Sequence, residues 1–228
     1  MPDTFKRLTW DAVGEKLYET GTDRGVFYPQ VSGAYPKGVA WNGITGVTLS
    51  PSGADENKFY ADNIKYGSIR GAEDFGGTIK CYTYPDEFAL CDGAAQGTAG
   101  VTIGQQKRNP FGFCYRSKIG NDADGMDHGY KLHLIYNATV SPSERDYQTV
   151  NDSPEGIEFS YEFTTTPVPV TAIENAKPTA LLEIDSTKVD AEKLKALEDV
   201  LYGSAMAAAR LPLPDEVITM MKTGSSIQ

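Results

Sequence analysis

Apolar and polar residues alternate most regularly along residues 129–140 and 156–164. In the second stretch two sets of side chains alternate: Ile157, Phe159, Tyr161 and Phe163 with Glu158, Ser160, Glu162 and Thr164. A period of two is typical of a β-strand that buries one face and leaves the other polar. Weaker stretches rich in β-branched and aromatic residues, separated by Gly, Asn, Asp and Pro, predict further strands. They lie at 39–49, 63–70, 78–84, 111–117 and 179–184.

A helical period is clear only near the C-terminal end, over residues 190–202. Three leucines at helical spacing form an apolar stripe there: Leu194, Leu197 and Leu201. Asp190 is suited to the N-cap and Gly203 to the stop. Two shorter helices are also predicted. One begins at Ser141, where Ser-Pro-Ser-Glu forms a capping box with Pro at the first helical position, and the other follows Pro214.

Together these elements predict a mainly β protein, either a β-sandwich or a partial barrel, with an α-helix packed on one side. A chain of 228 residues can fold as one β-rich domain, here 1–228. Two regions rich in Gly and Pro predict long loops at about 28–60 and 91–110, and loops of this length are usually functional. A helical or extended segment is predicted over about 189–228.

The chain is acidic, with a net charge of −10 and a pI of about 4.7. Proteins that wrap nucleic acid need Lys and Arg to neutralise phosphate, so this composition disfavours that class. An acidic wall would still suit a conduit, because it repels phosphate and lets DNA pass without binding. Since no apolar run approaches the roughly 18 residues of a membrane helix and no signal peptide is recognisable, we expect assembly in a cytoplasm and no membrane partner.

Side chains suited to catalysis or metal binding are few. The chain has two histidines, His128 and His133, and no recognised hydrolase, nucleotide or metalloprotease motif. The oxygen-rich stretch 121–128 lacks the ligand spacing of a calcium loop and predicts a polar hairpin turn. Glu158 and Glu162 would lie roughly 13 Å apart on one strand, too far for glycoside hydrolysis. We therefore predict no enzyme activity, no cofactor and no metal site.

Ten short blocks, spread from about Leu8 to Val217, carry a resemblance that none of them would carry alone. They are 9–16 (TWDAVGEK), 18–26 (YETGTDRGV), 38–43 (GVAWNG), 60–66 (YADNIKY), 82–88 (YTYPDEF), 119–122 (IGND), 127–133 (DHGYKLH), 151–155 (NDSPE), 164–168 (TTTPV) and 211–216 (LPLPDE). In combination they resemble the major tail proteins, or tail-tube proteins, of long-tailed bacteriophages with non-contractile tails. None of these blocks is a catalytic motif.

The resemblance implies a structural virion protein with the β-sandwich or barrel fold of tail-tube modules. Six subunits would form a ring, and rings would stack around the tape-measure protein, with loops bridging one ring to the next. Strands of neighbouring subunits would join in a continuous inner barrel, which removes exposed sheet edges from the channel. Further expected partners are the tail terminator and the distal tail proteins, while phage DNA would pass through without specific binding.

Within such a tube, the strand at 156–164 is our candidate for the channel wall. Glu158, Ser160 and Glu162 would face the DNA, and the apolar residues between them would face the domain core. The more mixed polar face of the strand at 129–140 is the rival. The residues alone equally suit a β-rich carbohydrate- or receptor-binding module of a tail tip, and an exposed aromatic platform would favour that function.

Overall fold

The computed structural model describes residues 7–150, 152–153 and 155–222. The described part contains strands β1 (Tyr18–Pro29), β2 (Val39–Ala40), β3 (Ile44–Leu49), β4 (Ser52–Gly53), β5 (Glu56–Ala61), β6 (Ile64–Arg70), β7 (Glu73–Asp74), β8 (Gly76–Cys81), β9 (Ala95–Thr98), β10 (Val101–Ile103), β11 (Phe111–Asn121), β12 (Gly125–Val140), β13 (Phe159–Thr165) and β14 (Leu181–Asp185). It also contains a 3-10 helix (Asp86–Leu90) and the helices α1 (Ala191–Tyr202) and α2 (Pro214–Lys222). The predicted mainly β class is therefore confirmed.

Seven strands follow one antiparallel path in the order β2-β1-β11-β12-β13-β8-β3. Strand β12 has 16 residues, and it pairs with β14 over Lys131–Ile135 and with β13 over Ala138–Val140. The two ends of the path approach each other, because β1 contacts β3. The sheet thus curls into a partial barrel, which is one of the two architectures that the sequence predicts.

One wall of the barrel is formed by β1, β11 and β12, which we call the central wall, and the other by β3, β8 and β13. Aromatic and aliphatic side chains from both walls fill the interior between them. Its buried members are Phe27, Trp41, Ile79, Cys81, Phe88, Cys91, Phe111, Phe113, Tyr115, Ile135, Ala138, Val140, Tyr161 and Phe163. Phe88 is contributed by the 3-10 helix, and its ring centroid lies 4.5 Å from that of Trp41. The burial of this aromatic surface is the main contribution to the stability of the contact between the two walls.

A second core lies between the outer face of β1, β11 and β12 and the two helices. Its buried members are Val26, Tyr28, Tyr35, Cys114, Leu132, Leu134, Tyr136, Ile184, Leu194, Leu197, Leu201, Leu211 and Val217. The helix predicted over residues 190–202 is confirmed as α1. The Asp190 side chain accepts hydrogen bonds from the backbone N–H groups of Glu192 and Lys193. The leucine stripe of α1 faces the sheet, so the molecule has three layers: helices, the central wall, and the wall made by β3, β8 and β13.

The helix predicted at Ser141 is wrong, because residues 141–150 form no helix. The backbone N–H of Ser141 instead donates to the carbonyl of Glu162 over 2.8 Å. The Ser143 hydroxyl accepts from the backbone N–H of Glu162 over 3.3 Å. Pairing with β13 therefore engages the Ser141 N–H, which a capping box would need for the Glu144 side chain, and this tertiary contact overrides the local signal.

The two predicted long loops contain more regular structure than expected. Region 28–60 includes β2, β3, β4 and most of β5, and region 91–110 includes the hairpin β9–β10. Within 28–40, Tyr35 is buried and the backbone N–H of Gly38 donates to the carbonyl of Ala209 over 2.7 Å. Of the predicted domain and C-terminal segment, residues 1–6, 151, 154 and 223–228 lie outside the described residues.

Candidate assembly surfaces

Strand β13 places two of the three predicted channel residues on its outer face. Ser160 is opposite Lys80 and Glu162 is opposite Thr78 on β8, while Tyr161 and Phe163 point into the barrel. Glu158 precedes the strand at its rim and is exposed. Ile157 was expected in the core but also lies outside the strand, with 38% of its surface exposed. The predicted alternation therefore holds from Phe159 onwards.

The outer surface of β3, β8 and β13 forms what we call the polar face: Thr48, Thr78, Lys80, Glu158, Ser160, Glu162 and Thr164. This is the side of the barrel wall that no helix covers in the described part of the chain. Glu158 accepts a hydrogen bond from the Thr45 hydroxyl over 2.5 Å and lies 3.8 Å from the Lys80 ammonium. With two carboxylates, one ammonium and several hydroxyls, the polar face is hydrophilic and slightly negative.

A second surface is the projecting hairpin β5–β6, which we call the arm. Its two strands pair from Glu56–Arg70 to Ala61–Ile64 around a turn at Asp62 and Asn63. Both turn residues have positive φ, 51° and 65°, as the tight turn favoured in two-residue hairpins requires. The arm belongs to a separate two-stranded sheet, so within the described structure each of its strands pairs only with the other.

The two faces of the arm differ in chemistry. One face carries Phe59, Tyr66 and Ile69, which are 43%, 72% and 66% exposed. The Phe59 ring lies over Gly67, where an added Cβ would come within 2.7 Å of it, and its centroid is 6.1 Å from that of Tyr66. On the other face the Glu56 carboxylate is 2.9 Å from the Lys65 ammonium, and the hydrogen bond from the Ser68 hydroxyl, followed by this contact, lowers the pKa of Glu56.

The arm is the outer end of a long β-hairpin, whose other end consists of β3 and β8 in the polar face. Val47 is opposite Ile79 in the wall, Gly53 is opposite Glu73 beyond it, and Glu56 is opposite Arg70 in the arm. All three pairs share one register, so β3–β4–β5 and β6–β7–β8 form a single long hairpin. The sequence predicts β6 but not β5, because β5 falls almost entirely within the loop predicted at about 28–60.

One polar cluster on the central wall was not predicted. The Ser117 hydroxyl lies 2.8 Å from His133 Nε2, and Glu183 Oε1 lies 2.9 Å from His133 Nδ1. The Glu183 oxygen is not aligned for a hydrogen bond to Nδ1, so it does not orient the ring as a hydrolase triad requires. Tyr115 stacks on the imidazole at 4.5 Å, and desolvation by burial lowers the pKa of His133. We interpret the cluster as a link between β11, β12 and β14.

The stretch 121–128 forms the predicted polar turn between β11 and β12. The Asn121 side-chain oxygen accepts from the backbone N–H groups of Ala123 and Asp124, and Asp124 is 3.0 Å from His128 Nδ1. In the part of the chain that the structure describes, no three His, Cys, Asp or Glu side chains are grouped to hold a metal ion. Neither α-helix in the described ranges is long and apolar enough to cross a membrane.

No protein-family model and no curated protein matches the chain. Among solved structures, it is similar to a cryo-EM structure of the anti-feeding prophage cap, the AFP tube terminating cap. The identity is 10%, the match covers 81% of this chain and 99% of that chain, and the TM-score is 0.34. It is also similar to the PVC sheath-tube complex of an extracellular contractile injection system in the extended state. There the identity is 12%, the coverage 71% of this chain and 88% of that chain, and the TM-score 0.33.

Proposed function

We propose that the chain is a structural protein of a phage tail whose copies form rings, six subunits to a ring, that stack into the tail tube. Two lines support this proposal: the resemblance of its sequence blocks to the major tail proteins of non-contractile-tailed phages, and the surfaces of the fold. The observation that carries it is the arm. An amphipathic two-stranded ribbon with an exposed apolar face is at best marginally stable in water, so that face requires a partner.

A second copy of the chain is the partner that the arm fits best. The charged side chains of the arm, Lys58, Lys65 and Arg70 against Glu56 and Asp62, sum to +1, which is little excess positive charge for DNA or an anionic membrane. The apolar face instead suits a protein surface. Head-to-tail contacts of this kind repeat without a two-fold axis, so they generate rings and stacks rather than closed dimers.

The polar face is our candidate for the channel wall. Ring symmetry would repeat Glu158, Ser160 and Glu162 around the lumen, and like-charge repulsion would keep phosphate from adhering during DNA passage. The tape-measure protein, the tail terminator and the distal tail proteins are the partners that the resemblance implies. We propose the virion tail as the location, with assembly in the host cytoplasm.

A test on the arm decides whether it drives assembly. The variant Ile69→Asp places a charge on the apolar face, and Arg70→Gln on the other face of the same strand is the matched control. Both positions are exposed, so neither substitution should change the subunit's melting temperature by more than a small amount. We expect wild type and Arg70→Gln to form hollow tubes at high concentration in electron micrographs, and Ile69→Asp to stay dispersed.

A wild-type protein that stays monomeric at high concentration, with and without its tail partners, would refute the proposal. The alternative is a carbohydrate- or receptor-binding module of a tail tip. It is favoured by one observation: Tyr60 and Tyr66 of the arm are 67% and 72% exposed and could stack on sugar rings. Saturable binding of host-wall glycan, lost in Tyr66→Ala and without tube formation, would establish that function instead.

A further inference from the structure

The arm is joined to the barrel through a short interruption of the strand pairing, which we call the elbow, at residues 53–55 and 71–72. Below the elbow the ribbon is fixed to β13 of the wall, because the backbone N–H and the hydroxyl of Thr165 donate to the carbonyl of Phe75 over 3.0 Å and 2.7 Å. Above it the arm has only its own two strands within the described structure. The direction of the arm is therefore decided at the elbow.

The elbow interrupts the regular strand pairing without changing its register. Gly53 pairs with Glu73 and Glu56 pairs with Arg70, so two residues on each strand separate the paired segments. A β-bulge would have added a residue on one side only. One backbone hydrogen bond still crosses the elbow, because the N–H of Ala54 donates to the carbonyl of Ala72 over 3.0 Å. The irregularity therefore lies in the backbone conformation and not in an inserted residue.

Two consecutive residues supply that conformation. Gly53 has φ of 80° and Ala54 has φ of 56°, both in the left-handed region. Glycine is required at position 53, since an added Cβ would lie 2.7 Å from the carbonyl oxygen of Ala72. Alanine at position 54 is unexpected, because the left-handed region disfavours residues with a Cβ. Once there, however, an alanine has far fewer neighbouring conformations available than a glycine would have.

We infer that the elbow is a preset joint: Ala54 holds the arm at the angle at which its apolar face meets the next subunit of the stack. This inference rests on the proposed function. A freely swinging arm would lose orientational freedom on docking, and that loss would weaken association. An arm that Ala54 holds at a fixed angle has already lost this orientational freedom in the free subunit. The local cost of the left-handed alanine in the free subunit is thus offset by easier assembly.

The test compares Ala54→Gly with Ala205→Gly, a control that removes an exposed methyl group from the loop after α1. We expect Ala54→Gly to keep or raise the subunit's melting temperature, because it relieves the left-handed strain. We also expect it to raise the critical concentration for tube formation, measured by pelleting, about two- to fivefold. Ala205→Gly should leave the critical concentration unchanged.

The outcomes separate this inference from the function on which it rests. If Ala54→Gly assembles at the wild-type critical concentration while Ile69→Asp does not assemble, the elbow has no preset role and the arm contact stands. If Ile69→Asp assembles like the wild type, the arm contact and the elbow are both wrong. If Ala54→Gly lowers the melting temperature, Ala54 supports the subunit fold rather than the docking angle, and the inference is again overturned.

Discussion

The substitution Leu197→Ala tests whether helix α1 is part of the fold or peripheral to it. Leu197 is completely buried between α1 and the central wall. Removing a fully buried leucine side chain typically costs about 2–5 kcal/mol of unfolding free energy, and the cost is higher where the site cannot collapse. Collapse is restricted here, because the Tyr28 hydroxyl donates to the carbonyl of Leu201 over 2.7 Å and holds the helix end. We therefore expect a loss in the upper half of that range.

Urea unfolding followed by the fluorescence of buried Trp41 measures this loss, and thermal unfolding gives a second reading. For a domain of this size the expected loss lowers the melting temperature by about 7–20 °C. The matched control is Lys195→Ala on the exposed side of the helix, where only a surface pair with Asp199 at 3.4 Å is lost. It should change the free energy by less than about 0.5 kcal/mol. A loss below about 1 kcal/mol for Leu197→Ala would contradict the three-layer packing.

Three further predictions concern the helix cap, the buried histidine and the channel. Asp190→Ala should cost about 0.5–2 kcal/mol in urea unfolding, since two backbone N–H groups lose their acceptor. Burial lowers the pKa of His133 below 6.5, so the unfolded chain takes up the proton first. The unfolding free energy should therefore fall as pH drops from about 6.5 towards the folded pKa, and His133→Gln should weaken this dependence. Glu162→Lys tubes should retain duplex DNA in a salt-dependent manner, unlike wild-type tubes, and equal retention would count against a polar-face channel.

The clearest predictions come from elements whose apolar and polar residues recur at a regular spacing, while β6 and β11 are predicted only from their β-branched and aromatic composition. Strand β12 shows a period of two although residues 132–136 are buried on both faces, because polar residues such as His133 interrupt the apolar ones. Strand β13 shows it because one of its faces is buried and the other is polar. Helix α1 shows its leucine stripe and its Asp190 cap for the same reason. The first strand was not predicted. Its Val26, Phe27 and Tyr28 are all buried, since Phe27 faces the barrel interior and its neighbours face the helices, so no alternation remains.

The assembly surfaces show where reasoning from sequence ends. Ser160 and Glu162 were placed on the outer face of β13 from alternation alone, and the structure has them there. The lumen role of that face stays a prediction, because periodicity shows which residues are exposed and not what they face. Strand β6 is predicted, but its pairing with β5 into an arm is not, since the apolar residues of the arm pack on no core of their own chain in the described structure. The capping box at Ser141 led to a wrong helix prediction, because a contact with β13, distant in sequence, outweighs the local signal.

A cryo-EM reconstruction of the assembled protein tests the central claim most directly. We predict stacked rings around an open channel, with the polar face of β3, β8 and β13 lining the lumen and Glu158 and Glu162 directed inward. The arm of each subunit should bury Phe59 and Ile69 against a subunit of the adjacent ring. A tube in which the polar face forms the outer wall, or an assembly whose arms remain in solvent, would contradict this account.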